Sequence, residues 1–409
     1  MVYRPAFTRK HRNRAIAAVL AWAVLALGCG RRAEPAELAP GSVTASARPL
    51  SPQELEMATW SPRPDAAAHA LAGSCDRSDA SLARVAHETA QRLRDGDRAP
   101  EPSDAVAALR WAGAPYVWPR IWVLSGPAQA EADVHARMQQ WLASFGDLGE
   151  RRCGVAALRF GTESELVVVV AVDVLADLSP VPREARVGSW IEVEARLLVP
   201  ASDAKLVVLG PRGAPRTLPT SLEGTRARSR FNADAPGEWL IQLLADVRGG
   251  PRPVLEALVY VGVDAQRASS SAAPGEDAAR AGDDALAALD RMIARARDLH
   301  GLGPLVRDPE LDVIAQAHAE AMRAARRVAH DLGAGDPGSR VEALGRLVTR
   351  VGENVAHAAD VARAHRALFR SPSHRANLLD PHFGSVGIGV APDSDGSMWV
   401  CEVFARFAR

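Results

Sequence analysis

The chain has 409 residues and a mass of 43.5 kDa, enough for two or three domains that each bury a core. Its 49 basic residues balance 49 acidic residues and its pI is near 7.2, so the composition predicts no nucleic-acid partner. The four cysteines form no CxxC pair, which excludes the usual zinc-finger and dithiol motifs.

Residues 1–29 have the features of a signal peptide. Basic residues precede an apolar run from Ala15 to Gly28, which as a helix would span about 21 Å and could not cross a bilayer core of about 30 Å. The segment Ala26-Leu-Gly-Cys29 resembles a bacterial lipobox, which implies that Cys29 is lipidated and anchors the protein in the membrane. We therefore expect an exported, membrane-anchored lipoprotein of a bacterial envelope; the alternatives are ordinary cleavage with secretion, or an uncleaved anchor.

The next two regions differ in their patterns. Residues 30–72 are rich in Ala, Pro, Ser and Glu and predict a tether. Residues 73–176 combine apolar positions at helical spacing from Leu82 to Ala90 with a β-branched strand, and predict an α+β module.

The cysteines beyond the signal peptide fall in two regions. Cys75 and Cys153 flank one segment of the α+β module, and an oxidising compartment allows a disulfide between them. Cys401 lies on a strand with apolar neighbours, and we expect a buried free thiol rather than a nucleophile.

Residues 178–264 predict a β-sandwich. Ile191 to Leu197 alternate apolar and polar residues, and further short strands follow at intervals of about ten residues with Pro-Gly turns between them. This spacing favours an immunoglobulin-like sandwich. The region lacks a cluster of titratable residues, so we expect a spacer or a module that binds a protein partner.

Residues 265–281 predict a second linker, and residues 282–409 a domain of helices and strands. Three short motifs occur there in fixed order: Val328-Ala-His330-Asp, Val351-Gly-Glu353-Asn354-Val355-Ala and Ser371-Pro-Ser-His374-Arg375. A glycine-alternating strand, Val386-Gly-Ile-Gly-Val390, follows them. On composition alone, these histidines would be unrelated surface residues.

The order of the motifs resembles that of the CAP superfamily, the SCP-like secreted proteins, in its bacterial form. The resemblance implies an α/β/α sandwich in which His330, Glu353 and His374 line one cavity. Ser371 stands where many members have a second acidic residue. Some members bind zinc, others carry lipids, and the family shares no common reaction.

The residues themselves suggest how such a site would work. Ser371 is predicted to cap a helix with its side-chain oxygen, Pro372 to occupy its first position, and His374 to lie at the positive end of the helix dipole, which favours neutral imidazole. Glu353 is either a third metal ligand or the group that orients a histidine ring. Asn354 is expected to tie a loop at the cavity.

The other polar residues of the domain have simpler predicted roles. We expect His318 to be packed in the core and His365 and His382 to lie on the surface. A helix through Glu353 would place His357 on the same face, either as a supporting ligand or, as we favour, exposed to solvent. Arg375 is expected to pair with a carboxylate.

A possible internal repeat links the first module to the last domain. Ser81 to His87 parallels Leu311 to His318, and Cys153-Gly-Val-Ala156 parallels Val386-Gly-Ile-Gly389. In this alignment Trp118-Pro119-Arg120 stands opposite Gly352-Glu353-Asn354. The first module is then a degenerate copy that keeps the scaffold without the site.

Three functions are open on this basis. The favoured hypothesis is a non-enzymatic, envelope-tethered protein that binds a divalent metal such as zinc, a lipid or another small ligand at His330, Glu353 and His374. A zinc-dependent hydrolase with Glu353 as general base is the second. A structural or adhesion protein with a vestigial site is the third.

Overall fold

A computed structural model describes residues 2–3, 70–96, 102–127, 129–146, 148–160, 164–248, 250–265, 272–280 and 283–408. Apart from Val2 and Tyr3, the predicted signal peptide with Cys29 lies outside the described residues, as does the tether up to residue 69. The model is a mixed α+β structure with several sheets, in agreement with the predicted class. In the described part of the chain, no helix is long and apolar enough to cross a membrane.

The chain begins with a two-residue strand, β1 (Val2–Tyr3), that pairs with the last sheet. The first module follows, and its elements are β2 (Arg77–Ser78), α1 (Ala80–Arg94), α2 (Pro102–Trp111), β3 (Arg120–Pro127), α3 (Glu131–Leu142), β4 (Glu150–Phe160) and β5 (Ser164–Val174). The strand order is β2-β4-β5-β3, with β2 parallel to β4 and the other pairs antiparallel.

Two local features hold the start of the first module in place. Asp79 caps α1, because its side chain accepts hydrogen bonds from the backbone N–H groups of Ser81 and Leu82. The predicted disulfide between Cys75 and Cys153 is confirmed and holds the start of the module against β4.

The central region consists of two sheets around a shared apolar core. Its strands are β6 (Ala176–Leu178), β7 (Glu184–Ala185), β8 (Ser189–Leu197), β9 (Ala201–Leu209), β10 (Arg216–Leu218), β11 (Ser221–Glu223), β12 (Arg226–Ala233), β13 (Gly237–Val247) and β14 (Gly250–Val261). The strand orders are β10-β9-β13-β14-β7 and β11-β12-β8-β6. Ile191, Val193, Ala195 and Leu197 are buried, as their alternation predicts. The immunoglobulin-like assignment stays a prediction.

The last domain packs helices on both faces of a sheet with the order β1-β16-β18-β17-β15. Its elements are α4 (Ala285–Leu299), β15 (Val306–Arg307), α5 (Pro309–Ala325), α6 (Pro337–Glu342), β16 (Val348–Ala358), α7 (Val361–Arg370), α8 (Pro372–Leu378), β17 (Ser385–Pro392) and β18 (Met398–Phe407). A 3-10 helix (Glu276–Ala278) precedes them in the predicted linker.

Strand β18 presents different residues to the two helical layers. Cys401 and Val403 pack with the core under α5, whereas Val400 and Phe404 pack with the core under α4, α7 and α8. This division is the one that the period of two predicts. Cys401 is a buried free thiol, as expected.

Residues from 70 onward belong to one compact unit, and helix α8 touches the sandwich strands β9 and β13. The start of α8 therefore lies at a junction between domains.

Candidate functional site

Glu353 is the centre of a buried polar cluster. Strand β16 places its side chain under α5, where it is 0% exposed. Its Oε1 accepts a hydrogen bond from Nδ1 of His330 at 2.7 Å, and its Oε2 accepts one from Arg340 at 2.7 Å. Burial by itself would raise the pKa of Glu353, but the hydrogen bond from His330 and the nearby cations hold it below its usual value. Glu353 is therefore ionised at neutral pH.

His330 is held in one orientation by this carboxylate. Helix α5 ends at Ala325, with Arg326 in the left-handed conformation, and the following loop carries His330 back to the sheet. Because Nδ1 donates to Glu353, Nε2 is the ring nitrogen that remains to meet a ligand. Arg340 of α6 also donates to the backbone carbonyl of His330 at 2.9 Å.

The guanidinium group of Arg340 has N–H donors that these two hydrogen bonds do not use. Its side chain is 9% exposed, and within the described residues its Nε and Nη1 have no hydrogen-bond partner. Buried N–H groups of this kind normally bind water or a ligand oxygen. Sequence reasoning missed Arg340; the helix-start pattern Asp336-Pro337 predicts the helix α6 that carries it.

His318 and Cys401 complete the surroundings of Glu353. His318 is buried, as predicted, and donates from Nε2 to the Ala329 carbonyl at 2.7 Å. The same nitrogen lies 3.9 Å from Glu353 Oε1, and burial lowers the pKa of His318. The Cys401 thiol lies 3.5 Å from Glu353 Oε2, and burial raises its pKa well above the usual value.

His374 is in the first turn of α8, as predicted, and is 6% exposed. Its pKa is lowered well below the usual value, above all by burial and further by nearby positive charge, of which His330 is one source. The two predicted histidines are therefore close enough to influence each other. The rings of His374 and Trp118 also make a T-shaped contact, with centroids 6.4 Å apart.

Ser371 does not cap α8 with its own side chain, contrary to the prediction. The acceptor for the N–H of Ser373 is Oε1 of Gln242 in strand β13, at 3.0 Å, and Nε2 of Gln242 donates to the Ser371 hydroxyl at 3.3 Å. Pro372 occupies the first position of the helix, as predicted. The sequence separation of 131 residues gave no signal for this cap.

Asn354 lies on the opposite face of β16 from Glu353. Its amide nitrogen donates to the His374 carbonyl at 3.2 Å and to Glu402 at 3.0 Å, and its oxygen accepts from Asn377 at 3.0 Å. Glu402 is fully buried, and burial raises its pKa to about 7. Asn354 thus ties α8 to the sheet, and Asn377 and Glu402 are site neighbours that the motifs did not reveal.

Of the remaining predictions for this domain, one is confirmed and the others are not. His382 is exposed, as expected, but His365 is fully buried and bonds to the Pro274 carbonyl. His357 is on strand β16, not on a helix, and stacks on Trp399 with centroids 4.0 Å apart. Arg375 lies over the Phe369 ring and meets the Gly213 carbonyl instead of a carboxylate.

A zinc site with three protein ligands does not fit this arrangement. Both carboxylate oxygens of Glu353 already accept hydrogen bonds, from His330 and Arg340. Among the described residues, no group of three or more His, Cys, Asp or Glu side chains is arranged to hold a metal ion. The site offers two imidazoles, one fewer ligand than protein zinc centres usually provide.

Residues 291–403 match the sequence model of the cysteine-rich secretory protein family, CAP. The C-terminal region is therefore a CAP domain, as the order of its motifs implied. No curated protein matches the chain.

Solved structures similar to this chain have low identity and low TM-scores. An outer surface protein of Borrelia burgdorferi is 22% identical, with 28% of this chain and 87% of that chain covered, at a TM-score of 0.27. An extracellular SCP-domain protein of Bacillus anthracis is 16% identical, with 56% and 88% covered, at 0.27. A cysteine-rich secretory protein of Staphylococcus aureus is 12% identical, with 56% and 87% covered, at 0.25.

Proposed function

We propose that this protein is an exported, non-enzymatic binding protein whose CAP domain holds a small ligand between His330 and His374. The observation that carries the proposal is the hydrogen bond between His330 and the buried, ionised Glu353. It fixes the ring of His330 and leaves Nε2 for a ligand.

The chemistry of the site favours a ligand that carries an acceptor oxygen. Arg340 has two buried N–H groups without a partner in the described chain, whereas the one carboxylate of the cluster already has its hydrogen bonds. A lipid or other amphipathic molecule with a hydroxyl or carboxyl group would satisfy these donors. A divalent metal such as zinc is a weaker candidate, because only two imidazoles would hold it.

The hydrolase hypothesis is disfavoured by the same contacts. A general base works best when its pKa lies near the working pH. Hydrogen bonds from His330 and Arg340 reach both oxygens of Glu353, and its pKa is held below the usual value, so the carboxylate is a weak proton acceptor.

The test compares the mature chain, produced by export of the full-length sequence, with the double variant His330→Ala/His374→Ala. Organic extracts of each purified protein are analysed by mass spectrometry, and zinc is titrated into the extracted protein. His382→Ala is the matched control, because this histidine is exposed. A lipid, or zinc near one equivalent, that is lost only in the double variant supports the proposal. Equal binding by all three proteins would refute it.

We also propose that the first module is a degenerate copy of the CAP domain. The order β2-β4-β5-β3 corresponds to β15-β17-β18-β16, and each sheet begins with a parallel pair. A glycine of the second strand in each sheet, Gly154 or Gly387, lies against the backbone of a helix that is capped by an aspartate.

Strand register corrects the alignment that the sequence suggested. Gly387 pairs with Val403, which pairs with Glu353; in the first module Gly154 pairs with Val170, which pairs with Ile121. Ile121, and not Pro119, therefore stands at the position of Glu353.

Our proposals for the other regions of the chain are based on the sequence patterns. We propose that the signal peptide delivers the protein to the envelope and that lipid on Cys29 anchors it there. Globomycin, which blocks lipoprotein signal peptidase, should cause the unprocessed precursor to accumulate; unchanged processing would favour secretion. The central sandwich is proposed to be immunoglobulin-like and to act as a spacer or a partner-binding module.

A further inference from the structure

Helix α8 of the CAP domain contacts both of the other domains at its first turn. Gln242 of the sandwich contacts Ser371 and Ser373, and Trp118 of the first module contacts His374. Ser371 is the N-cap of α8, and Ser373 and His374 lie in its first turn.

Gln242 is itself held by a buried network. It is 0% exposed, and its amide nitrogen also donates to Glu256 of strand β14, which is 4% exposed. Arg110 of α2 donates from Nε to the other oxygen of Glu256 at 2.8 Å. The network thus runs from the first module through the sandwich to α8 and fixes which end of the Gln242 amide faces Ser373.

Trp118 is unusual in its backbone. Its φ is 58°, in the left-handed region that residues with a side chain rarely adopt, and the cost is on the order of 1–3 kcal/mol. Trp118 remains 43% exposed, so burial of this residue is not what holds the conformation. The hydroxyl of nearby Tyr116 donates a hydrogen bond to Asp79 and accepts one from Arg152.

We infer that His374 is positioned by all three domains: Gln242 caps its helix from the sandwich, and Trp118 of the first module forms one wall beside its ring. The CAP domain by itself then lacks part of its own site. Ligands reach His374 past an indole, which favours those with an apolar surface beside the acceptor oxygen. The inference rests on the proposed function only in this last statement about ligands.

The test uses ligand-free mature chain, so its outcome does not depend on whether any ligand binds. Amide hydrogen exchange reports the cap at Ser373, and the ring ¹⁵N chemical shifts of His374 report its surroundings. The buried ring of His365, which bonds to Pro274, is the internal reference.

Gln242→Ala should lower the protection of the Ser373 amide at least tenfold and shift the His374 ring signals, while His365 stays unchanged. Gln316→Ala is the matched control: Gln316 accepts from the Val390 N–H, so only the Val390 amide should lose protection. Unchanged Ser373 and His374 in folded Gln242→Ala, or equal changes in the control, would overturn the inference.

An exchanged pair covers the case in which Gln242→Ala does not fold. In Gln242→Glu/Glu256→Gln the carboxylate and the amide change places, and Ser373 still has an acceptor. Protection of Ser373 near the wild-type value supports the cap, and its loss in this folded variant counts against it.

The variant Trp118→Gly distinguishes two roles of Trp118: a wall beside the His374 ring, or a residue that stabilises only the first module. Glycine adopts a positive φ without strain, so the melting temperature should stay the same or rise, while the His374 ring signals shift. A lower melting temperature with an unmoved His374 ring would show that Trp118 only stabilises its own module.

Discussion

The sheets of the first module and of the CAP domain share a strand order, but their interiors differ in chemistry. Strand β5 is apolar from Leu166 to Val172, and each of these residues is at most 5% exposed. In the CAP sheet the central strands bury Glu353, Asn354 and Glu402 instead. When the strand registers of the two sheets are aligned, the position of Glu353 corresponds to that of Ile121, and the position of Glu402 to that of Val169.

The polar residues of the CAP sheet are buried, and burial imposes a requirement on the rest of the fold. Buried charges need partners, and Glu353 has His330 and Arg340 supplied by the loop and helix that follow α5. The first module instead fills the sheet with apolar side chains and adds a disulfide. If the first module is a degenerate copy that has lost its site, as we propose, it does not need such a polar cluster.

Glu353→Ile, which places an isoleucine as in the first sheet, should have the largest effect. It leaves Arg340 buried without its carboxylate, so we expect the free energy of unfolding to fall by about 3–5 kcal/mol. Urea denaturation at pH 7.5 measures the loss. The double variant Glu353→Ile/Arg340→Met should recover most of it; a loss below about 1 kcal/mol in the single variant would contradict the pairing.

Removal of the disulfide should weaken only the first module. The bridge joins residues 78 positions apart, and Cys75→Ser/Cys153→Ser should lower its unfolding free energy by about 2–4 kcal/mol. Hydrogen exchange resolves the two modules in one experiment. Dithiothreitol should lower the stability of the first module in the wild type by the same amount and have no further effect in the variant. Equal weakening of the CAP sheet would contradict the prediction that the disulfide stabilises only the first module.

Gly154→Ala and Gly387→Ala should have matched effects if the two sheets approach their helices alike. A Cβ at Gly154 would lie 1.9 Å from the Ala83 nitrogen, and one at Gly387 would lie 2.1 Å from the Leu311 carbonyl carbon. Each helix must shift, at a cost of about 1–3 kcal/mol by thermal unfolding.

The glycine controls are Gly146→Ala and Gly384→Ala, where an added Cβ meets nothing within 4 Å. These should change stability little. A clear loss at one close-contact glycine and none at the other would show that the modules do not share this packing.

Glu402→Gln should change the pH dependence of stability. The pKa of Glu402 is raised from 4.5 to about 7 in the folded chain, so the folded state holds this proton more tightly than the unfolded state. Its stabilisation is present below pH 4.5 and is lost as the pH rises to 7. Wild type should therefore lose about 2 kcal/mol relative to the variant between pH 5 and 7.

Urea denaturation across this pH range measures the difference. Glutamine keeps an acceptor for Asn354, so the hydrogen bond is not the variable. Parallel pH profiles for the two proteins would mean that Glu402 is not protonated in the folded state.

Local patterns predicted much of the fold. The helical stripe from Leu82, the alternation from Ile191 and the two faces of β18 depend on periods of 3.6 and 2, which neighbouring residues display by themselves. The sequence left open a helix through Glu353 and His357, but both lie on β16. The segment is buried on both faces, so its apolar residues show no strand alternation.

Short spacings and residue types predicted the CAP motifs and the apolar periods, whereas they allowed the pairing of Cys75 with Cys153 without deciding it. The roles at the site depend on tertiary contacts. Arg340 donates a hydrogen bond to Glu353, Gln242 caps the helix of His374 in place of Ser371, and Trp118 makes a T-shaped contact with the ring of His374. These contacts join residues far apart in the chain, and the energy of a buried hydrogen bond depends on which groups the fold brings together.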